Sequence, residues 1–305
     1  MKKNYIHIIK SDFKRNKVLY LIILPVLIYF ILFRYLPMYG ATIAFKDFTP
    51  MKGIAGSEFV GFKHFLKFFK SFYFFRVLKN TFTLSFLQIL FGFPIPIIFA
   101  ILLNEVSNKY FKKVVQTVTY LPHFISLVVI AGMITQFSSQ NGIFNDLLVY
   151  FGGTRESLLQ NPDNFRFIYI ASDIWQKAGW ESIIYLAALM GIDSSLYEAA
   201  GIDGANRFKK ILHVTLPGLT PTIIIMLIIR IGRVMEVGFE KIILLYNPAT
   251  YEVADVISSY VYRVGLIDLN WSYSSAVGIF NAIINLSFLF MANKISRRYT
   301  GGGLW

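Results

Sequence analysis

Two apolar stretches of this sequence carry charge at a depth where a membrane would leave it without water. IYIASDIWQKAGWESIIYLAALM (168–190) holds Asp173, Lys177 and Glu181. A second run, about 218–237, holds Arg230, Arg233 and Glu236, with Glu240 just beyond it. An ionised side chain facing lipid costs about 2.5–3.5 kcal/mol or more, so each of these groups must face protein or water. Asp173 and Lys177 are four apart with the acid first, the better order for pairing on a helix. At about 100° per residue, Asp173, Lys177, Trp180, Glu181 and Ile184 share one face, and Trp175 and Gln176 lie nearby in the sequence. Arg230, Arg233, Glu236 and Glu240 fall within an arc of about 120° by the same arithmetic, and their spacings of three, three and four allow a ladder of intramembrane ion pairs. Two chemistries are open to such faces. They can pair internally and fix helix packing, or they can line a polar path. Aromatic faces beside planar hydrogen-bonding groups suit a saccharide, and Asp173, Gln176, Lys177, Trp180 and Glu181 form such a candidate path. The spacing leaves both readings open for the first stretch. It favours pairing for the second, because a self-satisfied ladder leaves little for a ligand.

The remaining residue types exclude most enzyme chemistry. There is no cysteine, hence no thiolate, disulfide or Cys-based metal site. The four histidines, His7, His64, His123 and His213, lack HExxH spacing and read as ordinary polar or interfacial residues. There is no Gly-x-Ser-x-Gly, no GxxxxGK[ST] loop, and no Gly-Lys pair at all.

The elements that must position the charged faces are spanning helices. The 305 residues are 55% hydrophobic with a mean hydropathy of +0.55, too apolar for a soluble domain and too long for one span. Runs of about 18 or more apolar residues fall at 18–36, 80–103, 114–137, 165–190, 218–237 and 272–291, and no barrel-like alternation occurs. The fold class is therefore an all-α integral membrane protein with six transmembrane helices. Pro94 and Pro96 predict a kink in the second span.

Lys2, Lys3, Lys10, Lys14, Arg15 and Lys17 precede the first run, and no small-residue cleavage site follows it. That order predicts an uncleaved span with the N-terminus in the cytoplasm. Six spans then place the C-terminus and the interval between spans four and five on the same side. Inner segments carry 15 Lys and Arg against 9 outside, the direction that the positive-inside rule requires. The net charge of +13 thus reads as topology and attraction to anionic membrane lipid rather than nucleic-acid binding. One membrane domain, 18–292, lies between a basic cytoplasmic segment of 1–17 and a cytoplasmic tail of 293–305. In the first outer segment, Phe62, Phe65, Leu66 and Phe69 recur at helical spacing, flanked by Lys63, Lys67 and Lys70. They predict a helix lying in the membrane interface, or one touching a partner outside.

The interval DSSLYEAAGIDGANRFKKILHVTLPGLTP (193–221) is the longest polar stretch that still reads as ordered helix. Ser195 and Glu198 have capping-box spacing. Asp203-Gly204 breaks the helix, since Gly accepts the left-handed backbone of a sharp bend and Asp can cap the next helix. That second helix is expected from Ala205, with Phe208, Ile211 and Leu212 on one side.

Glu198-Ala199-Ala200, then Gly204, Val214 and Leu216-Pro217, resemble the EAA signature of ABC-importer permease subunits, with Val214 where the signature has Ile. In that family the segment, here 193–217, is a cytoplasmic coupling helix docked in a cleft on the ATPase. The resemblance implies coupling roles for Glu198, Ala199, Ala200, Asp203, Gly204, Leu216 and Pro217. IWQKAGWESIIYLAALMGIDSSLYEAAGIDGA (174–205), GFEKIILLYNPATYEVADVISSYVYRVGL (238–266) and WSYSSAVGIFNAIINLSFLFMANKISRR (271–298), closing on Gly303-Leu304-Trp305, resemble the LplB-type branch for oligosaccharides and polysaccharides. This implies a second, related permease, two ATPase subunits and an extracellular carbohydrate-binding lipoprotein. ATP and Mg are then held by the ATPases, and this chain binds no cofactor. An ion-gradient-driven transporter is the alternative that the intramembrane acids allow, although no second half of matching hydropathy is present.

Overall fold

The computed structural model describes residues 12, 13, 15–300 and 303, with the side chains of 299 and 300 left aside. Lys2, Lys3, His7, Lys10, Lys14, Leu304 and Trp305 lie outside the described residues. Among the described residues, four helical stretches are long and apolar enough to cross a membrane: Lys17–Phe45, Tyr73–Glu105, Arg207–Gly232 and Trp271–Arg298. Two bent pairs, Lys109–Phe124 with Leu127–Phe137 and Pro162–Leu189 with Ser194–Ile202, raise the number to six. Among the described residues the strands are Lys46–Asp47 and Glu58–Phe59, paired antiparallel.

The second span does not break at its prolines. Tyr73–Leu87 widens into a π turn over Gln88–Gly92, and Pro94–Glu105 then continues the same helix. Proline lacks an amide hydrogen and its ring clashes with the carbonyl four residues back. The wider turn relieves both problems, and the amide of Phe93 reaches back five residues to the Gln88 carbonyl.

The third span, expected as one helix, turns by 98° between Phe124 and Leu127. Pro122 sits in a 3-10 turn over Leu121–Phe124, and Ser126 restarts the helix by accepting from the Val129 amide. The fifth span begins earlier than its apolar run: Arg207–Gly232 is continuous through Leu216 and Pro217. The last helix runs Trp271–Thr300 and takes in the first residues of the expected tail.

The helix in the first outer segment, Lys63–Phe69, buries His64, Phe65 and Phe68, while Phe62, Leu66 and Phe69 stay exposed. Of the expected stripe Phe65 is thus packed inside the protein, and Phe62, Leu66 and Phe69 remain on its surface. Phe68 packs against Phe280 of the last helix, with ring centroids 5.5 Å apart.

The segment between spans five and six, which the six-span topology places outside, is folded into the bundle. Its helices Phe239–Leu245, Tyr251–Ala254 and Ile257–Tyr262 bury Ile242, Ala254 and Ile257, and Val256 between them is buried as well. The fully buried Asp255 carboxylate accepts from Arg263 at 2.5 Å and from Ser259 at 2.8 Å, and lies 3.5 Å from Arg76. Asn80 donates to the carbonyls of Glu252 and Asp255, and Arg166 donates to Asn80. A buried charge is tolerated only with such partners. This cluster ties the second and fourth spans to the segment, at the end of the bundle opposite Ser194–Ile202.

Candidate functional site

The fourth helix, Pro162–Leu189, carries the charged face, and Gly179 sets how closely the third span approaches it. A Cβ at Gly179 would stand 2.2 Å from the Thr119 carbonyl oxygen, so only glycine lets the two backbones meet there. That approach brings the broken turn of the third span over Trp180. The His123 ring stacks on the indole at 4.6 Å and 3°, and Phe124 meets it edge-on at 5.3 Å.

Trp180 borders a cavity of about 730 Å³ between the second, fourth and fifth spans. Gln88, Lys177, Glu181, Arg230 and Arg233 are among its other walls. Lys177 pairs with Asp173 at 2.7 Å, as their spacing predicts. Gln176 is buried just outside the cavity, and its side-chain oxygen has no hydrogen-bond partner among the described residues.

The ladder expected along the fifth span is not formed. The helix ends at Gly232, with Arg233 as its C-cap, and the next helix begins at Phe239. Arg230 therefore turns across the cavity and donates from Nη1 to both carboxylate oxygens of Glu181, each at 3.2 Å. Glu236 lies 3.5 Å from the Asn285 amide, and Glu240 is exposed in the first turn of Phe239–Leu245. Arg233 is exposed and lines the cavity without an acidic partner among the described residues. The two charged faces read separately from the sequence are thus the facing walls of one space.

The second arrangement is the elbow between spans four and five. Its helix is Ser194–Ile202, and its N-cap is Asp193, not Ser195. Asp193 accepts from the Ser195 amide at 2.9 Å, and this bond holds its carboxyl below the usual range. Glu198 is exposed and takes no part in the cap. At the other end the Ala205 amide bonds the Ala200 carbonyl, and the Gly204 amide bonds that of Gly201. These are the two bonds of a Schellman ending, with Gly204 at φ +74° as its left-handed residue. Asp203 closes the first helix, and it is Asn206 that caps the next, accepting from the Lys209 amide at 2.9 Å. Tyr197 bonds Thr215 at 3.0 Å and ties the elbow to the base of the fifth span. Phe208 and Leu212, expected on one side of the second helix, are exposed along with Leu196 and Ile202.

The family model for the binding-protein-dependent transport system inner membrane component matches residues 92–301, a stretch that holds the elbow and most of the cavity walls. The chain belongs to that family. It is a multi-pass membrane permease rather than an enzyme. Its relatives include the polygalacturonan/rhamnogalacturonan transport system permease protein YteP of Bacillus subtilis, 45% identical over 95% of this chain and 91% of that protein. Protein LplB of the same organism is 43% identical over 96% of this chain and 92% of that one. A bacterial alginate ABC transporter, crystallised with an alginate pentasaccharide-bound periplasmic protein, contains a chain that superposes with a TM-score of 0.90 at 48% identity, covering 96% of this chain and 99% of that chain.

Several residues of this permease escaped the reading of its sequence. His123 looked like one of four scattered histidines, yet it holds the indole face; the signal was Pro122 beside it, which breaks the third span. Lys241 lay in an apparent loop and is in fact buried 3.7 Å from Asp173. Asp193 and Asn206 were visible as cap-forming types at helix starts.

Proposed function

We propose that this permease forms one half of the transmembrane pathway of an ATP-driven importer, and that its solute is an acidic oligosaccharide. The observation that carries the substrate class is the cavity. Trp180 supplies an aromatic face steadied by His123. Lys177, Arg230 and Arg233 supply cations beside Glu181 and Glu236, and Arg233 forms no ion pair within 4 Å among the described residues. Arginine offers a planar fork that matches a carboxylate. A volume of about 730 Å³ lies within the range of small-ligand sites and admits a short saccharide segment. The relatives named for polygalacturonan and alginate are consistent with a uronate solute.

A second, related permease completes the pathway. The apolar window of the first span is not buried at all within this chain, so a partner subunit or lipid must cover it. Two ATPase subunits hold ATP and Mg and receive the elbow, whose exposed Leu196, Ile202 and Phe208 are apolar groups suited to a cleft. An extracellular carbohydrate-binding lipoprotein delivers the solute. The elbow and both termini face the cytoplasm of a bacterial cell. Closure of the ATPase pair pushes the elbow, and the fifth span moves with it because Arg207–Gly232 is one continuous helix.

The test is uptake by the assembled transporter in proteoliposomes, comparing an oligogalacturonide trimer with its methyl ester and with a neutral trisaccharide. Preference for the free acid, dependent on ATP, is the expected result. Equal uptake of acid and ester overturns the substrate class, and uptake without ATP overturns the importer.

A further inference from the structure

Lys241 is 2% exposed, and its ammonium has no hydrogen-bond partner among the described residues. Its nearest acid is Asp173 Oδ1 at 3.7 Å, the same oxygen that Lys177 holds at 2.7 Å. The Tyr169 ring lies 5.4 Å below it, and Gln88 reaches Asp173 Oδ2 at 3.4 Å and the Tyr169 hydroxyl at 3.5 Å. One carboxylate therefore serves two lysines. One of them lines the cavity with its side chain 42% exposed, and the other is buried behind it. A separation of 3.7 Å is too long for a hydrogen bond, while a buried ammonium without an acceptor is strongly disfavoured. The arrangement is incomplete as it stands, and a shift of about 1 Å by the carboxylate would complete it.

We propose that Asp173 is a movable counter-ion: a carboxylate of the solute takes over Lys177, and Asp173 closes onto Lys241. This rests on the acidic-oligosaccharide reading above. Before the exchange there is one close ion pair and one ammonium 3.7 Å from the same carboxylate, without a hydrogen bond. Afterwards there are two close pairs, solute with Lys177 and Asp173 with Lys241, so the displaced acid neither repels the solute nor is left bare. A neutral sugar cannot replace Asp173 on Lys177, so it gains nothing from Lys241. Lys241 is thus a positioning residue for specificity that acts through Asp173. It stands on Phe239–Leu245 and Asp173 on Pro162–Leu189, so the exchange also binds the folded-in segment to the fourth span when acidic solute is present.

The experiment uses the assembled transporter and two probes, the oligogalacturonide trimer and its methyl ester, read as the ratio of their apparent affinities. Lys241→Met should lower the acid-to-ester ratio about tenfold, the size of one charge-assisted contact. Asp173→Asn should raise the ratio, because Lys177 is then released. The double variant should recover acid preference to at least the parent level, since no acid remains to hold Lys177. Loss of fold alone would weaken both probes and make the double variant worse than either single one. An unchanged ratio in Lys241→Met, or a double variant no better than Lys241→Met, overturns the exchange. If Lys241→Met does not assemble, Lys241→Gln and the Asp173→Asn arm decide, and a lowered ratio in Asp173→Asn overturns it too. A parent transporter without acid preference refutes the substrate class itself. A parent with acid preference and an indifferent Lys241→Met refutes only the exchange.

Discussion

Gly204 offers the sharpest test of the elbow. It holds φ +74°, and nothing lies within 4 Å of where its Cβ would stand. Within this chain a substitution therefore meets no steric clash, and its whole effect is backbone strain. The left-handed conformation costs an ordinary L-residue about 1–2 kcal/mol, an asparagine less, and a β-branched residue more. For Gly204→Val a strain of about 2 kcal/mol shifts the Schellman ending against its alternatives by about thirtyfold. The helix it terminates has nine residues and is capped otherwise only by Asp193, so it has little reserve. Gly204→Asn separates strain from docking, because it tolerates the backbone and still adds a side chain. The assay is transport per ATP hydrolysed in proteoliposomes, with co-purification of the subunits as the control for assembly. If the elbow enters a cleft on an ATPase, Gly204→Val lowers transport per ATP at least tenfold while hydrolysis continues, and Gly204→Asn lies between it and the parent. Normal transport per ATP in Gly204→Val would refute the coupling role, and a parent-like Gly204→Asn would show that backbone shape alone matters there.

The Arg230–Glu181 pair crosses the cavity with side chains 25% and 33% exposed, so it should be worth less than a fully buried pair and more than a surface one. A double-mutant cycle of Arg230→Met and Glu181→Gln, read by unfolding in detergent, should give a coupling of about 1 kcal/mol, and a value under about 0.3 kcal/mol would show that the pair does not hold the walls together. Trp180→Ala should lower uptake of the oligogalacturonide trimer about two- to tenfold without loss of assembly, since stacking on one aromatic face is worth about 0.5–1.5 kcal/mol. Unchanged uptake would make Trp180 a packing residue only.

What could be read in advance was whatever lies within one helix. Asp173, Lys177, Trp180 and Glu181 share a face because the helical period puts them there, and the Asp173–Lys177 pair results from it. Gly204 was legible because few residues accept its backbone. What crossed between helices was not legible. Arg230 finds Glu181 49 residues away, and counting along one helix could only offer it Arg233, Glu236 and Glu240. The flaw in that count was the assumption that the helix continues, when Gly232 and Gly238 bracket its end. In 62–69 five of the eight residues are apolar, so periodicity cannot choose a face, and packing against Phe280 decides it. The folded-in segment hid because its polar residues satisfy one another: Asp255 looks like a loop acid until Arg76 and Arg263 are seen around it.

The prolines carry a further lesson, and it can be tested. Three of the π turns among the described residues, Ile31–Tyr35, Gln88–Gly92 and Ile211–Thr215, end two residues before a proline, at Pro37, Pro94 and Pro217. In each the residue just ahead of the proline donates five positions back: Leu36 to Ile31, Phe93 to Gln88, and Leu216 to Ile211. The proline thus acts by inserting one residue into the turn before it. In the second span that inserted residue sets which side chains reach the cavity, since Ser85, Gln88 and Ile89 all lie at or just before the turn. Pro94→Ala restores an amide that can bond the Leu90 carbonyl, and a return to α-helix would turn the preceding half by about 100°. Gln88 would then leave the cavity wall and its contact with Asp173. The chain has no cysteine, so a single Gln88→Cys reports this directly by labelling with a small polar thiol reagent. Labelling should fall severalfold when Pro94→Ala is added, and oligosaccharide uptake should fall with it. Equal labelling with and without Pro94 would mean that packing against the fourth helix, and not the proline, holds the turn open.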